Sequence, residues 1–176
     1  VNKSTDLTSY DNFPNFALIN KWRLIKKDPN AEMSEPEEPI VFWVENTTPE
    51  EIIPAVVAGI ENWNMAFEEA GFINAVVAKI QPKDAEWDAA DYDYNVVRWS
   101  SEPDGNLLGI GPSVTNPLTG EIISGDVVNK LLAVKVGYNY RKLYGYTEDN
   151  DPLMQYITNL TLHEVGHVLG LRHNFR

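Results

Sequence analysis

The 176-residue sequence predicts an α/β (α+β) fold, with a twisted mixed β-sheet, one backing helix and a second helix that bears the histidines. Three observations carry this. Short runs rich in Val, Ile, Phe and Trp recur between turn residues, as strands do. Apolar residues at steps of three and four mark two segments as helices. All three histidines fall between residues 163 and 173, at the end of the second helical segment.

In chain order, residues 1–38 read as an extended arm and residues 39–176 as the folded body. The arm is polar and punctuated by prolines, with Phe13, Phe16, Leu18, Trp22 and Leu24 scattered along it. Trp22–Ile25 reads as a short strand. The basic group Lys21, Arg23, Lys26 and Lys27 and the acidic group Glu32, Glu35, Glu37 and Glu38 are expected to be solvated surface.

Pro39–Val44 is short, apolar and β-branched or aromatic, the pattern of a buried strand. Thr48-Pro-Glu-Glu51 signals a helix start: a hydroxyl for an orphan amide, proline at the first position and a glutamate to close a capping box. Ile53, Val56, Ile60, Trp63, Phe67 and Ala70 then form one stripe, and Gly71 supplies a left-handed stop. Pro54 removes a first-turn hydrogen bond and offers a later start. Ala75–Ile80 and Tyr94–Trp99 read as strands. Between them Asp84–Asp93 holds five acids and no base. Its spacing matches no standard calcium loop, so it is expected to be a solvated connector.

From Leu107 to Val128, the residues Gly109, Gly111, Pro112, Pro117 and Gly120 exclude a regular central strand. An edge strand, a turn near Asn116–Gly120 and a return strand Glu121–Val128 are expected instead. Leu131–Val136 reads as helical, and Tyr138, Tyr140, Tyr144 and Tyr146 as packing residues. Asp151-Pro152, a cap followed by a first-turn proline, opens a helix that runs to Gly170. Its length is apolar almost all round, which predicts a central, buried position.

Composition narrows the chemistry. No cysteine is present, so there is no disulfide framework, thiol nucleophile or thiolate metal site. Fourteen basic residues against 26 acidic ones give a net charge of −12, which argues against nucleic acid or an anionic membrane as partner. No apolar run reaches the roughly 18–20 residues that span a bilayer. The chain starts at Val1 without a basic-then-apolar leader, the expectation for a processed protein or an excised segment.

The histidines form the pattern His163-Glu164-x-x-His167-x-x-Gly170-x-x-His173. At about 100° per residue, His167 lies about 40° from His163 and one turn further along the same face. Two such imidazoles can grip one ion without distorting the helix. Glu164 lies between them in angle, near enough to reach a water there without being a ligand. Gly170 lets the backbone leave the helix with φ > 0, and His173 returns as third ligand. Three imidazoles leave a coordination position open, as catalytic zinc sites do; ligand type alone leaves iron, copper, nickel and cobalt open as well. Zinc lowers the pKa of water it holds towards about 7 and polarises a carbonyl. Glu164 is then the base that takes the proton and hands it to a leaving amine, which is metal-assisted amide hydrolysis. A chance origin for the five fixed positions has an expectation on the order of 10⁻⁵ per chain.

At these residues the sequence resembles the metzincin clan of zinc endopeptidases. The predicted order of elements is similar to a metzincin N-terminal subdomain. The segments Gly59–Phe72, Pro117–Ile122 and Leu171–Phe175 resemble a bacterial exported subfamily of large, multidomain proteases. The resemblance implies Zn2+ on His163, His167 and His173, with Glu164 as general base. It also implies that an extended protein or peptide substrate lies along the edge strand at Leu107, Leu108, Gly109, Ile110 and Gly111. It implies an extracellular or periplasmic setting. Two departures stand out. Asn174 follows the third histidine, unlike the residue of the best-known metzincin families. Met33, Met65 and Met154 all lie upstream, so the methionine turn and the C-terminal subdomain of the same parent protein are expected as missing partners, and the segment alone is expected to be weakly active or inactive. Two other readings are a non-catalytic zinc-containing binding module and a zinc hydrolase of a non-peptide amide.

Overall fold

A computed structural model describes residues 18–102, 108–147 and 149–173. A five-stranded sheet is formed by β1 (Ile40–Val44), β2 (Val76–Ile80), β3 (Asn95–Ser100), β4 (Gly109–Ile110) and β7 (Val127–Lys130), in the order β2-β1-β3-β7-β4. The first four in that order are parallel and β4 is antiparallel to β7. A separate hairpin joins β5 (Ser113–Thr115) to β6 (Ile122–Gly125). The helices are α1 (Ile53–Glu61), α2 (Asn64–Glu69), α3 (Leu131–Tyr144) and α4 (Pro152–Val168). The mixed α/β architecture with a mostly parallel sheet is consistent with the metzincin-like fold that the sequence resemblance implies.

Alternation along β1 buries Ile40, Phe42 and Val44 and leaves Val41 and Trp43 half-buried. The inward set meets Ile52, Val56 and Ile60 of the α1 region and Leu153, Ile157, Val165 and Val168 of α4 in one core. The helix α4 therefore lies centrally against the sheet, as its apolar pattern predicts. It crosses α1 closely at Gly59, where a Cβ would stand 2.6 Å from the Thr161 Cβ.

Several sequence expectations need correction. The helix start expected at Thr48–Glu51 is a non-helical turn, with the Thr48 and Ile52 amides bonded to the Glu45 and Pro49 carbonyls. The helix begins at Ile53, without a side-chain cap, because Pro54 fits only a first turn. The single stripe through Ala70 is divided into α1 and α2 around Asn62-Trp63. There the Trp63 indole donates to the Leu162 carbonyl at 2.9 Å, and the Asn64 side chain exchanges two hydrogen bonds with the Val76 backbone. Trp22–Ile25 forms no strand. The arm makes isolated bridges at Lys21 and Lys26, while Trp22 and Leu24 pack on the core.

The stretch after β4 follows the expected edge, turn and return, with one refinement. Asn116–Gly120 closes a turn, with Gly120 at φ +77°. The return strand is split at Asp126, whose amide donates to the Pro112 carbonyl and whose carboxylate accepts from the Val96 amide at 3.0 Å. Half-burial raises the pKa of Asp126 against that bond and the nearby Arg98 charge. The helix expected over Leu131–Val136 continues to Tyr144, burying Ala133, Val134 and Gly137. The tyrosines are mostly outside this core: Tyr144 is 72% exposed, and Tyr138 and Tyr146 flank Arg141 instead. The charged arm groups include a solvated Lys27–Glu35 pair at 2.8 Å, but Lys26 folds back onto the Ala31 and Glu32 carbonyls.

Candidate metal centre

The helix α4 starts as its sequence predicts. Asp151 is the N-cap and accepts from the Leu153 amide at 2.9 Å, with Pro152 in the first turn. Its far end closes in a Schellman arrangement. The Leu171 amide reaches the Gly166 carbonyl and the Gly170 amide reaches His167, with Gly170 at φ +99°. This turn swings the chain back so that His173 faces His163 and His167.

The three Nε2 atoms lie 3.0 Å (His163–His173), 3.2 Å (His163–His167) and 3.0 Å (His167–His173) apart. One hydrogen on each imidazole cannot satisfy three nitrogens converging on a common point, whereas one cation can. Tetrahedral coordination at 2.0–2.1 Å places ligand atoms roughly 3.3 Å apart, so the observed spacing fits such an ion. The His167 Nδ1 lies 2.9 Å from the Leu171 carbonyl, which can only accept. That bond puts the proton on Nδ1 and leaves the Nε2 lone pair free towards the other two rings. The donor set is all imidazole, which suits zinc.

The sequence reading buries these rings, and the structure does not. His163 and His173 are exposed and His167 is half-buried. His163 and His167 lie on a face of α4 turned away from the core residues Val165 and Val168, and His173 lies in the loop after the helix. With Trp63, Gly166, Leu171 and Arg172 they line an open cavity of about 320 Å³. A larger cavity of about 460 Å³ lies elsewhere, beside Lys27, Glu35 and Asn64.

Glu164 is set apart from the three histidines by burial, at 7% exposure. It sits beneath β4. A Cβ on Gly109 would lie 3.1 Å from the Glu164 Oε1, and one on Gly111 would collide with the Glu164 carbonyl. Leu108 is half-buried and its carbonyl accepts from the Lys130 amide at 3.1 Å, while Ile110 is paired with Val128. Leu107 lies outside the described residues. One turn before Glu164, Thr161 accepts from the Asn129 side chain at 3.1 Å, and both are buried; the Asn129 Oδ1 has no protein partner.

Three groups around the site escape a reading of the sequence. Trp63 presses its ring on Gly166, where a Cβ would come 2.8 Å from it. Trp22 donates its indole N–H to the Val168 carbonyl at 3.0 Å. Arg172 lines the cavity beside the histidines. The tryptophans act on α4 across 99 and 146 residues of chain, which no local pattern marks.

Fold and site together define a mixed α/β protein with a three-histidine group fit to hold a metal ion. Residues 146–176, which contain that group, match the sequence model of the Met-zincin family. This match relates the chain to metzincin-type metalloproteases through that segment and suggests a zinc metallopeptidase type of function. No curated protein and no solved structure matches the chain. No helix among the described residues is long and apolar enough to cross a membrane.

Proposed function

We propose that this chain is a zinc-dependent endopeptidase that hydrolyses peptide bonds with Glu164 as general base. The observation that carries this reading is the convergence of three Nε2 atoms within 3.0–3.2 Å of one another, on the helix face next to a recessed glutamate. His163, His167 and His173 would hold the ion, with His167 kept in register by its Nδ1–H bond to the Leu171 carbonyl. When bound, zinc supplies Lewis-acid polarisation of the scissile carbonyl and acidification of the attacking water. The Glu164 carboxylate takes the water's proton and delivers it to the leaving amine nitrogen. Its recess under β4 restricts the side chain and keeps it dry on one side.

The free edge of β4 suits an extended protein or peptide substrate. Leu108 and Ile110 turn their main-chain groups to β7, so the alternation of a strand turns those of Gly109 outward. Gly109 thereby offers an amide and a carbonyl to an added strand, beside the base. Gly111 flanks this segment and belongs to the same proposed edge. An extracellular or periplasmic setting belongs to the same reading and rests on the metzincin relationship alone.

The test is casein cleavage by the longer parent protein expected to carry this segment, with and without a zinc chelator, and with Glu164→Gln alongside. Chelator-sensitive cleavage that falls at least about 10²-fold in the variant is expected. Cleavage indifferent to both treatments would sink the reading. A zinc-loaded chain that cleaves small amides and no protein would redirect it to a non-peptide substrate.

A further inference from the structure

The turn that carries His173 is held from outside α4 by the N-terminal arm. The last four carbonyls of a helix lack partners within it. In α4, those of Val165, Gly166 and His167 are met by the Leu169, Leu171 and Gly170 amides. The remaining one, on Val168, accepts from the Trp22 indole at 3.0 Å. The arm is pinned there by its backbone: the Lys21 amide donates to the Gly120 carbonyl at 3.0 Å, and the Ile122 amide donates to the Lys21 carbonyl at 2.9 Å.

The Asn20 carbonyl occupies the space a Cβ on Gly170 would take, with the Ile122 Cδ1 at 3.5 Å from the same point. The glycine is therefore required for its positive φ and for the arm's approach. Leu171, whose carbonyl holds the His167 Nδ1–H, is the next residue, and His173 follows two later. Two of the three donor nitrogens thus depend on one turn, and the arm is wedged against it.

Resting on the metal-centre reading above, we infer that residues 19–22 are a positioning element of the metal centre and that Trp22 couples arm docking to metal affinity. The arm touches no ion. It acts by holding the carbonyl end of α4 and the Gly170 turn in the geometry that brings His167 and His173 together. Coupling of this kind is reciprocal, so a bound ion must in turn hold the arm down.

Two measurements on the full chain test this. The first is the zinc dissociation constant of the unaltered chain and of Trp22→Phe, by competition with a chromophoric chelator, beside the unfolding midpoint of each in EDTA. The variant keeps an aromatic ring and removes the N–H. Zinc affinity about tenfold weaker is expected, the low end of what second-layer partners of a metal site contribute. The second needs no variant: hydrogen exchange of the Trp22 indole and the Lys21 amide, with and without zinc. Slower exchange with zinc at both groups is expected. An unchanged zinc constant in Trp22→Phe, or exchange indifferent to zinc, would overturn the proposal and leave the arm a structural strap. An unaltered chain that binds no zinc overturns the metal-centre reading itself, and is recognised before any variant is compared.

Discussion

Gly109 is the residue at which the strand edge meets Glu164, the proposed base. Its backbone faces the free edge of the sheet, and its missing side chain is the room into which Glu164 folds. A methyl group at that point would stand 3.0 Å from the Glu164 Cγ, so the carboxylate must move by a few tenths of an ångström. Misplacing a reacting group by about 1 Å costs about 10²-fold in rate. Gly109→Ala is accordingly expected to lower kcat for casein by roughly tenfold, with zinc content and unfolding midpoint close to the parent's. A kcat within twofold of the parent would show that the recess has no bearing on the base. At this scale the histidines and Gly170 were legible, because their spacing within one helix and its stop puts them together by local geometry alone. The recess of Glu164 was not, since it depends on a strand more than 50 residues upstream crossing over the helix.

Elements are joined by a single arginine at the opposite end of α4. Arg141, in the last turn of α3, donates to both Asp151 carboxylate oxygens and to Glu51 at 2.8 Å, and Glu51 also accepts from the Tyr138 hydroxyl. It therefore ties α3 to the N-cap of α4 and to the turn before α1. Its bonds hold the Asp151 carboxyl below the usual carboxylate range, against some desolvation, and do the same for Glu51. Both carboxyls are depressed in the folded chain, so their contribution is complete above the ordinary values near 4 and is lost as pH falls through the lower folded ones. Stability is expected to drop as pH falls below about 4, with a shallower fall in Arg141→Met. Urea midpoints measured across that range decide it; parallel slopes in parent and variant would contradict the assignment. The Asp151 cap itself contributes about 1 kcal/mol, so Asp151→Ala should lose at least that much at neutral pH, with the loss of the Arg141 pair added to it. The cap and its proline could be read from two adjacent residues, whereas the Thr48–Glu51 signal misled. There Pro54 and the demand of Arg141 for Glu51 outweighed a local capping pattern.

For the whole molecule, the question is whether the metal centre is also a keystone of the fold. Small domains that lack a core unfold when their metal is removed. This chain is built otherwise. Its buried set runs through β1, α1, β7 and α4 and includes no histidine, while two of the three histidines are exposed, one on α4 and one in the loop after it. The site is attached to a finished core at one end. An ion held there stabilises only by mass action, about 2.7 kcal/mol when free zinc is a hundredfold above its dissociation constant. For a chain of this length that corresponds to a rise of roughly 5–10 °C in the unfolding midpoint. Circular dichroism in EDTA should therefore show an intact, cooperatively melting chain, and zinc should raise the midpoint by that amount. In His163→Ala the rise should shrink to near zero with the EDTA midpoint barely moved. Loss of the fold in EDTA would make zinc a structural requirement and would count against a site whose open position is kept for chemistry.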